Sequence, residues 1–152
     1  MTPEVPTKRS VGIESTPFAI VEVYKQILSD IEANNFAQED AFAVHLALEE
    51  AFINAIKHGN EMDPAKKVKI EYLVDSDKIE ISLTDEGEGF NPDSIPDPRS
   101  GENLYKTEGR GLLLMQSYMD VVEFNERGNG VRMVRYKERP RLARPQNQMQ
   151  AG

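Results

Sequence analysis

A chain of 152 residues, 39% apolar and 29% charged, suits one globular domain built on a single core. A formal net charge of −8 argues against direct nucleic-acid binding, which draws on a basic footprint. Zero cysteines exclude disulfides and thiolate zinc sites, two histidines argue against a histidine metal centre, and no apolar run approaches the roughly 18 residues of a membrane helix.

Residues 1–8 carry prolines and charges without an apolar signal core, so they read as a disordered start, with no export and a cytoplasmic location expected. The domain is expected over 9–137. Ser10 to Glu14 reads as a short edge strand. Thr16 and Pro17 then offer an N-cap and a first helical residue. Ile20, Tyr24, Ile27 and Ile31 recur at helical spacing, predicting a helix to about Ala33 that closes at Asn34-Asn35.

A second helix is predicted from Gln38 to His58, with Val44, Ala47, Leu48, Ala51, Phe52, Ala55 and Ile56 as a wide buried stripe. Gly59 is the expected left-handed C′ residue. His58 is accounted for by the negative end of the helix dipole, and His45 reads as packed or half-exposed. Val68 to Val74 and Ile79 to Leu83 alternate apolar and polar residues around Asp75-Ser76-Asp77, predicting an antiparallel hairpin. Residues 91–108 show no periodicity, a length that suits a lid or binding loop. Leu112 to Met119 reads as a helix, and Val121 to Glu126 and Val131 to Tyr136 as strands around Gly128. The tail, 138–152, is basic and proline-containing and is expected to be flexible. This order predicts an α+β two-layer sandwich, a mixed but mainly antiparallel sheet with helices on one face.

Three constellations carry chemistry. Glu50 and Asn54 lie four apart on a helix, which stacks a carboxylate above an amide oxygen on one face. By itself that pair is an ordinary solvated helix surface. It also suits a magnesium ion, which takes one or two protein ligands plus phosphate oxygens, beside a base for a hydroxyl proton. Asp85 ends an apolar strand and needs hydrogen-bond donors, for which a purine amino group is one candidate. Gly87 and Gly89 beside it would let backbone approach a flat ring, or would simply form a turn. Gly109 and Gly111 open a helix, a place that suits phosphate, although the Walker and dinucleotide glycine patterns are both missing.

In this order, with EEAFINAIKHGN, LTDEGEGFNP and GRGLLLMQSYMD, the chain resembles the Bergerat-type ATP-binding fold of gyrase-like ATPases and histidine kinases. More narrowly it resembles the anti-sigma factor serine/threonine kinases of bacteria, over about residues 8–137. The resemblance implies ATP and Mg2+ as cofactors, Asn54 as magnesium ligand and Glu50 as general base. It also implies Asp85 as the adenine-reading residue within a base pocket shaped by Gly87, Gly89 and Phe90. Residues 91–108 would be the ATP lid. Gly109, Gly111 and Leu112 would border the phosphates, Lys106 or Arg110 would face the γ-phosphate, and His58 is carried as a further nucleotide contact. A small anti-sigma factor antagonist would be the phosphoacceptor, a sigma factor would be sequestered, and relatives commonly form homodimers. Two departures stand out: Glu49 replaces a small residue, and Leu112-Leu113-Leu114 follows Gly111 where a third glycine is often found. The alternative to a kinase is a catalytically silent ATP-binding partner-switch module of the same fold.

Overall fold

Alternating apolar residues give the two central hairpin strands one dry face, and in the computed structural model, which describes residues 8–87 and 112–138, those faces align. Five strands, β1 (Arg9–Glu14), β2 (Lys67–Val74), β3 (Lys78–Thr84), β4 (Val121–Phe124) and β5 (Gly130–Tyr136), form one sheet in the order β1-β2-β3-β5-β4. All four pairings are antiparallel. Register places Val11, Ile70, Leu83 and Val131 in one cross-sheet row, and Tyr72, Ile81, Met133 and Val122 in the next. A one-residue slip would turn these rows to solvent, so burial pins the register. The opposite face is largely polar apart from the buried Val134, and there Arg132 joins Glu80 at 2.9 Å and Glu123 at 3.0 Å.

The helices cover the dry face. Pro17 begins a 3-10 turn, Pro17–Ala19, and α1 follows as Ile20–Ala33. Thr16 is extended, as an N-cap residue should be, yet its side chain makes no capping bond. Asn35, at φ 65°, reverses the chain after α1. Helix α2 spans Gln38–Asn54, and its predicted apolar stripe is buried throughout, against the sheet rows and Val23, Ile27 and Ile31 of α1. Residues 112–118 form α3, through which Met115 joins the same core. None of the described helices is long and apolar enough to cross a membrane.

One expectation fails at the end of α2. Gly59 does not take a left-handed C′ conformation. The helix instead widens into a π-type turn over Ala55–Gly59, where the Asn60 N–H bonds the Ala55 carbonyl at 2.8 Å. Reversal is deferred to Glu61 and Met62, at φ 53° and 59°. Glycine is needed at 59 for space rather than for backbone angle, for a reason that lies in Asp85.

Candidate nucleotide site

Asp85 leaves β3 held from several sides. Its N–H donates to the Asn129 carbonyl at 2.8 Å, and its own carbonyl accepts from Asn129 Nδ2 at 3.0 Å. Its Oδ1 accepts the Gly87 N–H at 2.8 Å, while Oδ2 has no hydrogen bond among the described residues. Burial pushes the Asp85 carboxyl above its ordinary range, against the opposing pull of the Gly87 N–H and of Arg127 and Lys66. A half-buried carboxylate with one open oxygen is short of donors, and an amino group of a ligand would supply one.

The π turn lies directly against this carboxylate. A Cβ on Gly59 would stand 2.2 Å from the Asp85 carboxyl carbon, and a Cβ on Gly87 would stand 2.1 Å from the Gly59 carbonyl oxygen. No side chain fits at either position without displacing backbone or the carboxylate itself. The two glycines therefore bring the end of α2 and the Asp85 corner together. The π turn thus lies at that contact, and π-type turns often occur at functional sites.

Glu50 and Asn54 occupy the last turns of α2, and both are half-buried. Among the described residues, neither side chain takes part in a hydrogen bond or ion pair. Asn54 is the last residue before the π turn, so the group that could hold a cation lies five residues ahead of the glycine against Asp85. The same residues include no group of three or more His, Cys, Asp or Glu that could hold a metal. A divalent ion beside Asn54 would accordingly depend on ligand phosphate oxygens, the habit of magnesium. The donor set fits a magnesium nucleotide: a carboxylate for the base, an amide oxygen for the cation, and a second carboxylate within one turn of it.

His58 is exposed on the π turn. His45 packs its ring edge-on to Tyr24 at 4.6 Å between centroids, as the packed reading expects. Leu112 is half-buried and packs against the core at the start of α3. Gly89, Phe90, Lys106, Gly109, Arg110, Gly111 and the whole of 91–108 lie outside the described residues. Sequence reasoning missed Asn60 and Asn129, which grip the Asp85 corner. For Asn129 the signal was present in the Asn125–Gly130 turn, where Asn125 Oδ1 accepts the N–H groups of Gly128, Asn129 and Gly130 at 2.7, 3.1 and 3.2 Å.

A family model described as a histidine kinase-like ATPase domain matches residues 13–135. The serine-protein kinase RsbW of Bacillus licheniformis is 29% identical over 80% of this chain and 81% of its own length. An anti-sigma F factor of Clostridium perfringens is 32% identical over 66% of this chain and 74% of its own. A crystal structure of the RsbU and RsbW domains of a Mycobacterium tuberculosis protein superposes with a TM-score of 0.54 at 15% identity. That match covers 88% of this chain but only 33% of the longer one, and it bears on the fold alone.

Proposed function

The chain belongs to the histidine kinase-like ATPase family, and from that premise we propose that it is an ATP- and magnesium-dependent protein serine/threonine kinase. Its phosphoacceptor is a small anti-sigma factor antagonist, and it also sequesters a sigma factor. Support for the partners comes from the names of the relatives, a serine-protein kinase and an anti-sigma F factor. Support for the chemistry comes chiefly from one observation, the Gly59–Asp85 contact that joins the Glu50/Asn54 helix to a donor-poor carboxylate.

When bound, ATP supplies the phosphoryl group and magnesium the positive charge that offsets the phosphates. The residues of this chain bind, orient and move a proton. Asp85 accepts a hydrogen bond from the base amino group. Asn54 offers its amide oxygen to the cation. Glu50, one turn earlier, orients the hydroxyl of the incoming serine or threonine and takes its proton. By the resemblance, Gly109 and Gly111 would offer backbone N–H groups to the phosphates, Lys106 or Arg110 the compensating cation, and 91–108 a lid.

The direct test is incubation with γ-labelled Mg-ATP and each small antagonist encoded beside the chain. Label on a serine or threonine of an antagonist is the expected result. Tight ATP binding and sigma-factor capture without label on any antagonist would replace the kinase with a silent partner switch.

Asp85→Asn separates binding from folding. A hydrogen bond to a charged group contributes about 1.5–3 kcal/mol, so ATP affinity should fall about 10- to 100-fold. Stability should move the other way. Because the folded state raises the Asp85 pKa, ionisation of this group costs stability as pH rises from its ordinary value of 3.8 through the folded value. The variant lacks that cost, so the free protein should melt at the same or a higher temperature at pH 7, with the advantage gone below pH 3.8. Unchanged ATP affinity in this variant would remove the base-reading assignment.

A further inference from the structure

The Asp85 corner is also held by two asparagines outside the Glu50/Asn54, Asp85/Gly87/Gly89 and Gly109/Gly111 constellations. Asn60 is fully buried, at 0% exposure, immediately after the π turn. Its Oδ1 accepts the Glu86 N–H at 2.7 Å, and its Nδ2 donates to Ser15 Oγ at 2.9 Å and to the Lys67 carbonyl at 3.1 Å. Ser15 Oγ donates onward to the Lys66 carbonyl at 2.6 Å, and the Glu86 carboxylate accepts the Lys67 N–H at 2.9 Å. Every polar atom of the Asn60 side chain is thus satisfied. On the other side, Asn129 takes both backbone groups of Asp85, and Asn125 Nδ2 holds Asn129 Oδ1 at 2.8 Å.

We propose that Asn60 and Asn129 form a clamp that sets the Asp85 carboxylate for base selection, making them specificity-determining positioning residues. The proposal rests on the reading of Asp85 as the base-recognition group. Burial alone would require only that each polar group find a partner. Here the partners are concentrated on two consecutive residues, Asp85 and Glu86, and they approach from two separate elements of the fold. The Asp85 backbone is held by Asn129, the following amide by Asn60, and the carboxylate itself by Gly87 and the wall at Gly59. A carboxylate so fixed accepts from an amino group and repels a carbonyl oxygen placed at the same point. Adenine offers the first there and guanine the second. A carboxylate free to swing loses that discrimination, because it can withdraw from the guanine oxygen.

The test compares ADP and GDP binding by fluorescence competition in the wild type, Asn129→Ala, Asn60→Ala and Asp85→Asn, with melting curves for each. In Asn129→Ala, ADP affinity should fall about tenfold with little change for GDP, so that the preference for ADP narrows about tenfold. Asn60→Ala should narrow it in the same direction. If it does not fold, Asn129→Ala decides, and Asn125→Ala at the exposed turn relaxes Asn129 without opening the core. Lowered melting temperature with an unchanged ADP/GDP ratio would make these residues structural only and overturn the clamp. Were Asp85→Asn also to leave the ratio unchanged, base reading by Asp85 would fall, and the clamp with it. A ratio that collapses in Asp85→Asn but holds in the asparagine variants removes the clamp alone.

Discussion

On the proposed kinase mechanism, replacing Glu50 with glutamine is expected to slow phosphoryl transfer to the antagonist by roughly 10²- to 10⁴-fold, the usual contribution of a positioned general base. The substitution keeps the shape of the side chain and removes its ability to take a proton. Glu50 lies between the buried Ala47 and Ala51 on a well-packed stretch of α2, so helix and core should be undisturbed. ATP affinity should therefore stay within about twofold, since no ground-state contact to the nucleotide is assigned to this residue. Asn54→Ala should behave in the opposite way. It removes the amide oxygen that the proposed mechanism assigns to the cation, so magnesium-dependent ATP binding should weaken and transfer should fall with it. Measuring nucleotide affinity and single-turnover transfer for both variants separates the two roles. If Glu50→Gln loses ATP affinity in proportion to transfer, the carboxylate is a binding group and the base lies elsewhere.

The elements legible in the sequence were those with strong periodicity. The α2 stripe from Val44 to Ile56 and the alternation in Val68–Val74 and Ile79–Leu83 each state which face is buried, and the structure buries those faces. Antiparallel pairing of β2 with β3 followed from a short polar turn. What periodicity cannot report is the distance between elements far apart in the chain. Gly59 was legible as a glycine at a helix end, and its usual role there is backbone conformation. Its actual constraint comes from Asp85, 26 positions later, whose carboxylate occupies the space a Cβ would fill. Asn60 is equally opaque, because an asparagine after a helix is ordinary until its side chain is seen joining Ser15 just after β1, Lys67 of β2 and the Asp85 corner. Asp40, in the first turn of α2, accepts the Ala37 N–H at 3.1 Å. Its second oxygen goes to Arg135, 95 residues away, and nothing local announces that.

That last pair sets the second large effect, which is on stability. Arg135 Nε donates to Asp40 Oδ1 at 2.7 Å with both side chains nearly buried, at 7% and 9% exposure. Arg135 Nη1 also donates to the Tyr118 carbonyl at 2.6 Å. The arginine therefore joins the first turn of α2 to the last turn of α3, from a strand that faces both. Arg135→Ala would take the guanidinium away from the buried Asp40 carboxylate and from the Tyr118 carbonyl at the end of α3. Breaking such a pair from one side costs about 3–5 kcal/mol, which for a chain of this size corresponds to a melting point lower by on the order of 10 °C. Replacing both partners with apolar residues, as in Asp40→Leu with Arg135→Met, takes both charges out of the core and should recover much of the loss. Recovery should stay incomplete, because the Ala37 N–H and the Tyr118 carbonyl both lose a partner. Thermal melts of the two single variants and the double variant measure this directly. Additive losses in the double variant would mean that the two residues act separately. Partial recovery of stability allows a sharper question, since α2 carries Glu50 and Asn54 while α3 follows Gly109 and Gly111 in the sequence. If the double variant folds well yet transfers phosphate poorly, the strut sets the spacing between those two helices as well as holding the fold together.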